Sequence, residues 1–210
     1  MDINKDKILE IIEAEYPGAK SELDFRTPFE LLVATILSAQ CTDVRVNIVT
    51  AELFKEHNTP KAMLALGVQK LEEYIKTCGL FRSKAKNIIA ASRIIIEKYG
   101  GEVPSSLEEL RELPGVGRKT ANVVAFNAFG IPAIAVDTHV FRVSNRLGLT
   151  DAKNVLNTEK MLMEVIPRER WGDAHHWILL HGRRVCKARN PECGICRLSE
   201  YCRYYAGNKQ

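Results

Sequence analysis

Four cysteines fall within seventeen residues as Cys186-x6-Cys193-x2-Cys196-x5-Cys202. Thiolates crowded this closely bind soft metals. Structural zinc usually draws on paired motifs with two-residue gaps, and here there is one such pair, with outer partners six and five residues away. That spacing favours an iron-sulfur cluster, although four thiolates satisfy zinc as well. A cluster with four protein ligands has no open coordination site, so its expected task is to hold a loop in shape. Arg183, Arg184, Lys187, Arg189, Arg197 and Arg203 surround the ligands in sequence. Some would offset the negative cluster and others would face phosphate. The remaining pair, Cys41 and Cys78, reads as small apolar filler near helix ends.

A second chemistry sits in Leu113-Pro114-Gly115-Val116-Gly117-Arg118-Lys119-Thr120-Ala121. Two glycines a residue apart can take backbone angles closed to other residues, and without Cβ atoms they let another backbone approach the amides that open the next helix. Such a helix end binds phosphate. Lys119 lies in the first turn, where the helix dipole disfavours a cation. One reading is a lysine in solvent or on a phosphate. In the other, the helix end and partial burial favour a neutral amine that attacks carbon and forms a Schiff base. Asp137 emerges from the apolar run Ile131-Pro132-Ala133-Ile134-Ala135-Val136 and can cap a helix, assist catalysis or do both. His139, His175, His176 and His181 have no metal-like or triad context and read as polar residues of core or surface.

Nearly every element that must carry these groups reads as a helix. Apolar spacing marks Lys5–Tyr16, closed by Pro17-Gly18; Thr27, Pro28 and Glu30 open a buried helix over Phe29–Ser38 with Gln40 beyond its end. Further helices are expected over Asp43–Glu56, Pro60–Leu66, Val68–Cys78 and Arg82–Tyr99, with Leu80 at a helix end. Ser105 and Glu108 form a capping box for a helix reaching Leu113, which Pro114 ends. After the glycine hairpin, a helix runs to Gly130. Asp137 or Thr138 caps another to Leu147, and Asn157–Ile166 and Trp171 to about Val185 complete the set. No run alternates as a strand does and no repeat recurs, so the expected fold class is all-α and not a solenoid.

The 210 residues, 46% hydrophobic and 27% charged, can bury one large or two small cores. No apolar run approaches a membrane span, and the segment Met1-Asp2-Ile3-Asn4-Lys5-Asp6 lacks a signal-peptide pattern, so no membrane partner and a cytoplasmic location are expected. The net charge of +4 is unevenly spread: residues 133 to 210 hold 13 Lys and Arg against 8 Asp and Glu, whereas residues 1 to 132 hold 17 against 18. A basic last third permits nucleic acid as a partner without requiring it.

Taken together, these residues resemble the endonuclease III family of helix-hairpin-helix DNA glycosylases. The resemblance runs through Leu37-Ser38-Ala39-Gln40-x-Thr42-Asp43, Leu113 to Ala121, Ala135 to Val143, His176-Trp177, His181-Gly182-Arg183 and the four-cysteine loop, in order along essentially the whole chain. It implies two helical domains: a central one over 22–132 with the hairpin, and a second built from 1–21 and 133–210 that holds a [4Fe-4S] cluster on Cys186, Cys193, Cys196 and Cys202. It implies a base-excision-repair glycosylase and AP lyase, with Lys119 as the Schiff-base nucleophile, Asp137 as its electrostatic partner, and β-elimination as the strand-breaking step. Gln40, Leu80, Gly115, Val116, Gly117, Thr120 and His139 would meet DNA, with Gln40 and Leu80 filling the gap left by a flipped base. The implied partner is duplex DNA with an oxidised pyrimidine or an abasic site, met by a monomer, nucleoid-associated if the source is bacterial. Cys41 stands where the family pattern suggests alanine. Two other readings stand beside this one: a non-catalytic DNA-binding module with a structural metal, and an adenine- or mismatch-specific glycosylase of the same fold. Lys119 and the chain's end at Gln210 argue against the latter.

Overall fold

The computed structural model describes residues 4–207, so Met1 to Ile3 and Gln210, on which part of the terminal readings rest, lie outside the described residues. Eleven α-helices occur among the described residues, and no strand. The chain divides into two compact units: Ser21–Ile131, and the residues up to Lys20 together with those from Pro132 onward.

The Ser21–Ile131 unit is built around α2 (Pro28–Ser38), whose residues from Phe29 to Leu37 are all buried. Thr27 starts it by accepting from the Glu30 amide, and Glu30 reaches back to the Arg26 amide at 2.6 Å. Two otherwise orphaned donors are thereby satisfied at the start of a helix that has no exposed face for water to help. Around α2 pack α3 (Asp43–Leu53), α5 (Phe81–Tyr99) and α7 (Arg118–Phe129); α4 (Pro60–Ile75) packs on α5, and α6 (Leu107–Glu112) on α7. Leu71, Ile75, Ile88, Ile95, Leu110 and Val124 close the core.

In the other unit, the central helix is α10 (Trp171–Arg184). It packs on α8 (Thr138–Leu147) and α1 (Lys5–Glu15), and α8 in turn meets α9 (Val155–Val165) and α11 (Arg203–Gly207). Single 3-10 turns occupy Arg168–Arg170 and Ser199–Tyr201. Its buried face mixes Trp177 and Ile178 with three buried histidines, His175, His176 and His181.

Several boundaries move from those expected. The cap of α6 is Ser106 paired with Glu109, not Ser105 with Glu108: Ser106 Oγ accepts from the Glu109 amide and donates to its carboxylate at 2.9 Å. The stretch holds two overlapping S-x-x-E patterns, and buried Val103 and Pro104 keep the chain extended one residue longer than the first would allow. Leu113 then takes the extended angles that a residue before proline adopts, ending α6 at Glu112. Helix α3 stops at Leu53 instead of Glu56, and α4 at Ile75 instead of Cys78. Within α4, Gly67 breaks the helical angles (φ 79°, ψ 167°), so the two expected segments are one element with a kink. Asn154 caps α9, which therefore starts at Val155, two residues early.

Candidate functional site

Two residues of α5, Lys84 and Asn87, each fix a different piece of the Ser21–Ile131 unit, and Leu80 stands at the start of the same helix. Leu80 is the N-cap of α5, in the left-handed region (φ 58°) and 59% exposed. Four residues on, Lys84 is buried, and its Nζ donates to the Leu37 carbonyl at 2.7 Å. That carbonyl lies in the last turn of α2, where backbone acceptors lack helical partners and the dipole favours a cation. Burial lowers the Lys84 pKa, and Cys78 and Cys41 oppose the shift. The pinned end of α2 leads into Gln40, which is exposed and also left-handed (φ 53°). The two strained turns touch. A Cβ on Gly79 would stand 2.9 Å from the Gln40 carbonyl oxygen, so only glycine fits there. Of the three non-glycine residues with positive φ among those described, Gln40 and Leu80 are two. An exposed leucine and glutamine in a disfavoured conformation, each held from beneath, have a shape set by the scaffold and not by their own preference.

Asn87, seven residues after Leu80, backs the glycine hairpin. Gly115 has φ 81°, and a Cβ there would come within 2.9 Å of Asn87 Cβ. Gly117 is different: its angles (φ −86°, ψ 179°) suit any residue, and a Cβ on it would meet nothing within 4 Å. Of the two glycines, Gly115 therefore uses angles closed to other residues, whereas Gly117 does not and its missing Cβ leaves room on the outside. Val116 between them is buried and its amide donates to Leu113 at 3.0 Å, so it anchors the hairpin in the core and its side chain does not face out. Gly117 is the N-cap of α7 and, having no side chain, supplies no cap bond. Lys119 occupies the second position of α7 and is exposed, as the reading of a lysine in solvent or on a phosphate has it and unlike the partly buried alternative; Thr120 is half-buried.

In the other unit, Asp137 is the N-cap of α8. Its Oδ1 accepts from the His139 amide at 2.8 Å and the Val140 amide at 2.9 Å. The carboxylate is half-buried at the end of the buried run Ala133–Val136. His139 Nδ1 lies 3.2 Å from Arg142 Nη2. A guanidinium can only donate, so Nδ1 accepts and the His139 proton sits on Nε2. The same Arg142 group donates to Gly182 O at 2.9 Å and Cys186 O at 3.0 Å, tying α8 to the last turn of α10 and to the first cysteine. Gly182 permits this approach, for a Cβ there would lie 3.0 Å from Val143 and 3.1 Å from His139.

All four clustered cysteines line one cavity, with Leu147, His181 and Tyr205 among its other walls. Four thiols around one cavity are the donor set of an iron-sulfur cluster. Arg146 donates to Cys186 Sγ at 3.5 Å, to Lys187 O at 2.7 Å and to Ala188 O at 3.0 Å, and His181 Nε2 approaches Cys196 Sγ at 3.6 Å. Burial pushes the Cys196 thiol up to about 11 and also raises Cys202; as cluster ligands both would have to give up their protons when the metal binds. Arg142 and Arg146, which hold this loop, were missed by sequence reasoning that looked for basic residues beside the cysteines. Of those nearby residues, Lys187 pairs with Glu192 at 2.5 Å and Arg203 donates to Asn145 O at 2.9 Å, while Arg189 and Arg197 are exposed. The signal that would have found the missing pair is the spacing 139, 142, 146 along the helix that Asp137 caps.

No described helix is long and apolar enough to cross a membrane. The sequence matches the HhH-GPD superfamily of base excision DNA repair proteins over residues 33–168, and the iron-sulfur binding domain of endonuclease III over residues 186–202. It is 53% identical to endonuclease III of Escherichia coli K12 over 205 residues, covering 96% of this chain and 97% of that one. It is 54% identical to the Bacillus subtilis enzyme over 189 residues, covering 90% and 86%. A solved structure of a trapped endonuclease III–DNA covalent intermediate superposes with a TM-score of 0.93 at 48% identity, covering 100% of both chains. A thermostable thymine-DNA glycosylase, 24% identical with a TM-score of 0.86 over 97% of each chain, shares the fold. With its iron-sulfur segment, its hairpin and its near full-length identity, the chain belongs to the endonuclease III family of base-excision-repair DNA glycosylases and AP lyases, with DNA as partner and a [4Fe-4S] cluster as cofactor.

Proposed function

We propose that the chain removes oxidised or ring-saturated pyrimidines from duplex DNA and cuts the strand at the resulting or pre-existing abasic site, with Lys119 as nucleophile. The observation that carries this reading is the start of α7: a helix end whose glycine cap supplies no side-chain bond, with an exposed lysine at its second position. The amides there receive a phosphate of the DNA backbone, with Gly115 and Gly117 giving the close approach. Gln40 and Leu80, rigidly presented, occupy the gap left when the damaged base leaves the stack. Flipping costs a few kcal/mol, least for a badly stacked base, so selectivity begins with that step. His139 offers its Nε2–H to a phosphate, and Thr120 adds a contact from α7.

In the chemical step, the Lys119 Nζ lone pair attacks C1′ while the glycosidic bond breaks and its electrons leave with the base, which takes up a proton. Loss of a proton from the new ammonium and opening of the sugar ring give the Schiff base. Removal of a C2′ proton then expels the 3′ phosphate, and water releases the lysine. The Asp137 carboxylate stabilises the cationic sugar and promotes the reactive amine. Because Lys119 is exposed in the chain, the water exclusion that this chemistry needs is supplied by bound DNA. Cys186, Cys193, Cys196 and Cys202 would hold the cluster, whose bonds cross-link the loop and supply no reacting atom. Lysine and aspartate belong to one chain, so a monomer suffices, and thiols kept for a cluster suit the reducing cytoplasm and its nucleoid.

A panel of duplexes, each with one lesion, tests this. Oxidised and ring-saturated pyrimidines should be excised with strand cleavage on the 3′ side, and Lys119→Ala should leave both products absent. Excision confined to adenine or to mismatches would overturn the reading.

A further inference from the structure

Cys41 and Cys78 lie far apart in sequence, and neither belongs to the cluster loop. The structure brings them together at the base of the two strained turns: Cys41 follows Gln40, Cys78 precedes Gly79 and Leu80, and Gly79 is wedged against the Gln40 carbonyl. Cys78 is buried in the core of the Ser21–Ile131 unit, and half-buried Cys41 packs on the same core. Their side chains interact directly. Burial, then the nearby Cys41, pushes the Cys78 thiol up to about 11, while Lys84 and Arg45 act in the opposite sense.

We propose that Cys41 and Cys78 are an oxidation site, at which a peroxide joins the two thiols in a disulfide that ties the Gln40 turn to the Leu80 turn. The half-buried Cys41 sulfur is the one a peroxide can reach. It attacks the O–O bond as thiolate, forming S–OH and releasing hydroxide. The Cys78 sulfur then attacks the Cys41 sulfur; the S–S bond forms, the S–O bond breaks, and the departing hydroxide takes a proton. Two electrons pass from the two sulfurs to the peroxide, which ends as two waters. A dithiol reductant reverses the change. Lys84 supports the anionic stages, since its ammonium interacts electrostatically with both thiols.

The link would clamp together the turns that carry Gln40 and Leu80. Its effect on excision rests on the reading of that pair as the residues that probe DNA, whereas its formation does not. The cluster-loaded protein is treated with increasing hydrogen peroxide, its remaining thiols are alkylated, and it is digested with trypsin without reduction. The expected product is peptide Thr27–Arg45 joined to Thr77–Arg82, lighter by two hydrogens than the separate peptides, absent after dithiothreitol and absent in Cys41→Ala and Cys78→Ala. Recovery of Cys41 alkylated or as sulfinic acid, with no joined peptide while the cluster cysteines oxidise, would overturn the proposal. So would preferential joining of Cys41 to a cysteine of the 186–202 loop. A joined peptide with excision lowered in step and restored by dithiothreitol, in wild type but not in Cys41→Ala, supports both the site and its effect on probing. A joined peptide with excision unchanged supports the site and removes Gln40 and Leu80 from the recognition step.

Discussion

Helices α7 and α8 begin in opposite ways. Gly117 gives α7 no side-chain cap, whereas Asp137 closes α8 by accepting two amides on one oxygen. The first start presents backbone donors and a lysine; the second presents a carboxylate whose position is set by the bonds it accepts. Capping ordinarily stabilises a helix by about 1 kcal/mol, so the bare start of α7 forgoes stability where the other takes it. The difference teaches how to separate folding from function at a helix end: an anion site leaves its amides to the ligand, while a positioned carboxylate spends its lone pairs on the fold and keeps its charge.

Changing Lys119 to alanine should break this contrast most severely. Catalysis of both base removal and strand cleavage should fall about a thousandfold or more, while DNA binding survives, as gel shift and single-turnover cleavage together would report. Next comes Asp137→Asn, which keeps a capping oxygen and removes the charge. Single-turnover excision should drop roughly a hundredfold with little change in Tm; Asp137→Ala should lose activity and, in addition, about 1 kcal/mol of stability in denaturant titration. A large stability loss in the asparagine variant would mean that the carboxylate serves the fold alone.

The two hairpin glycines sharpen the contrast within α7's own start. Gly115→Ala must bear a left-handed angle and the pressure of Asn87 at 2.9 Å, so unfolding should show a loss of about 2 kcal/mol. For Gly117→Ala, with an ordinary angle and open space, stability should stay within about 0.5 kcal/mol of wild type. Its DNA affinity should nevertheless weaken, and measurement of Kd against salt would show fewer counterions released. Equal stability losses in the two variants would remove the distinction between the glycine that shapes the hairpin and the one that opens it.

Much of this was legible in the sequence because helix starts announce themselves locally. Thr27 with Pro28, Gly130 and Gly148 as stops, and Asp137 as a cap depend on residues within a turn of one another, and the structure has all of them. Overlapping local signals were harder: Ser105 and Ser106 offer the same pattern, and the burial of Val103 and Pro104 chose between them. What could not be read were side chains whose partners lie far along the chain. Lys84 looks like any helical lysine until it is buried against the end of α2, and Arg146 like any surface arginine until it reaches the cysteine loop. Gln40 and Leu80 were named by resemblance, but nothing in their residue types foretold left-handed angles; Gly79 and the pinned end of α2 impose them. Cys41 and Cys78 were read as separate fillers because thirty-six intervening residues hide their contact.

The most direct test of the central claim is borohydride trapping on a duplex carrying one oxidised pyrimidine, followed by proteolysis and mass mapping of the adduct. The account predicts a single reduced cross-link at Lys119, which blocks tryptic cleavage after that residue, and none in Lys119→Ala. A cross-link at another amine, or DNA binding with no trapped adduct in the wild-type chain, would contradict it.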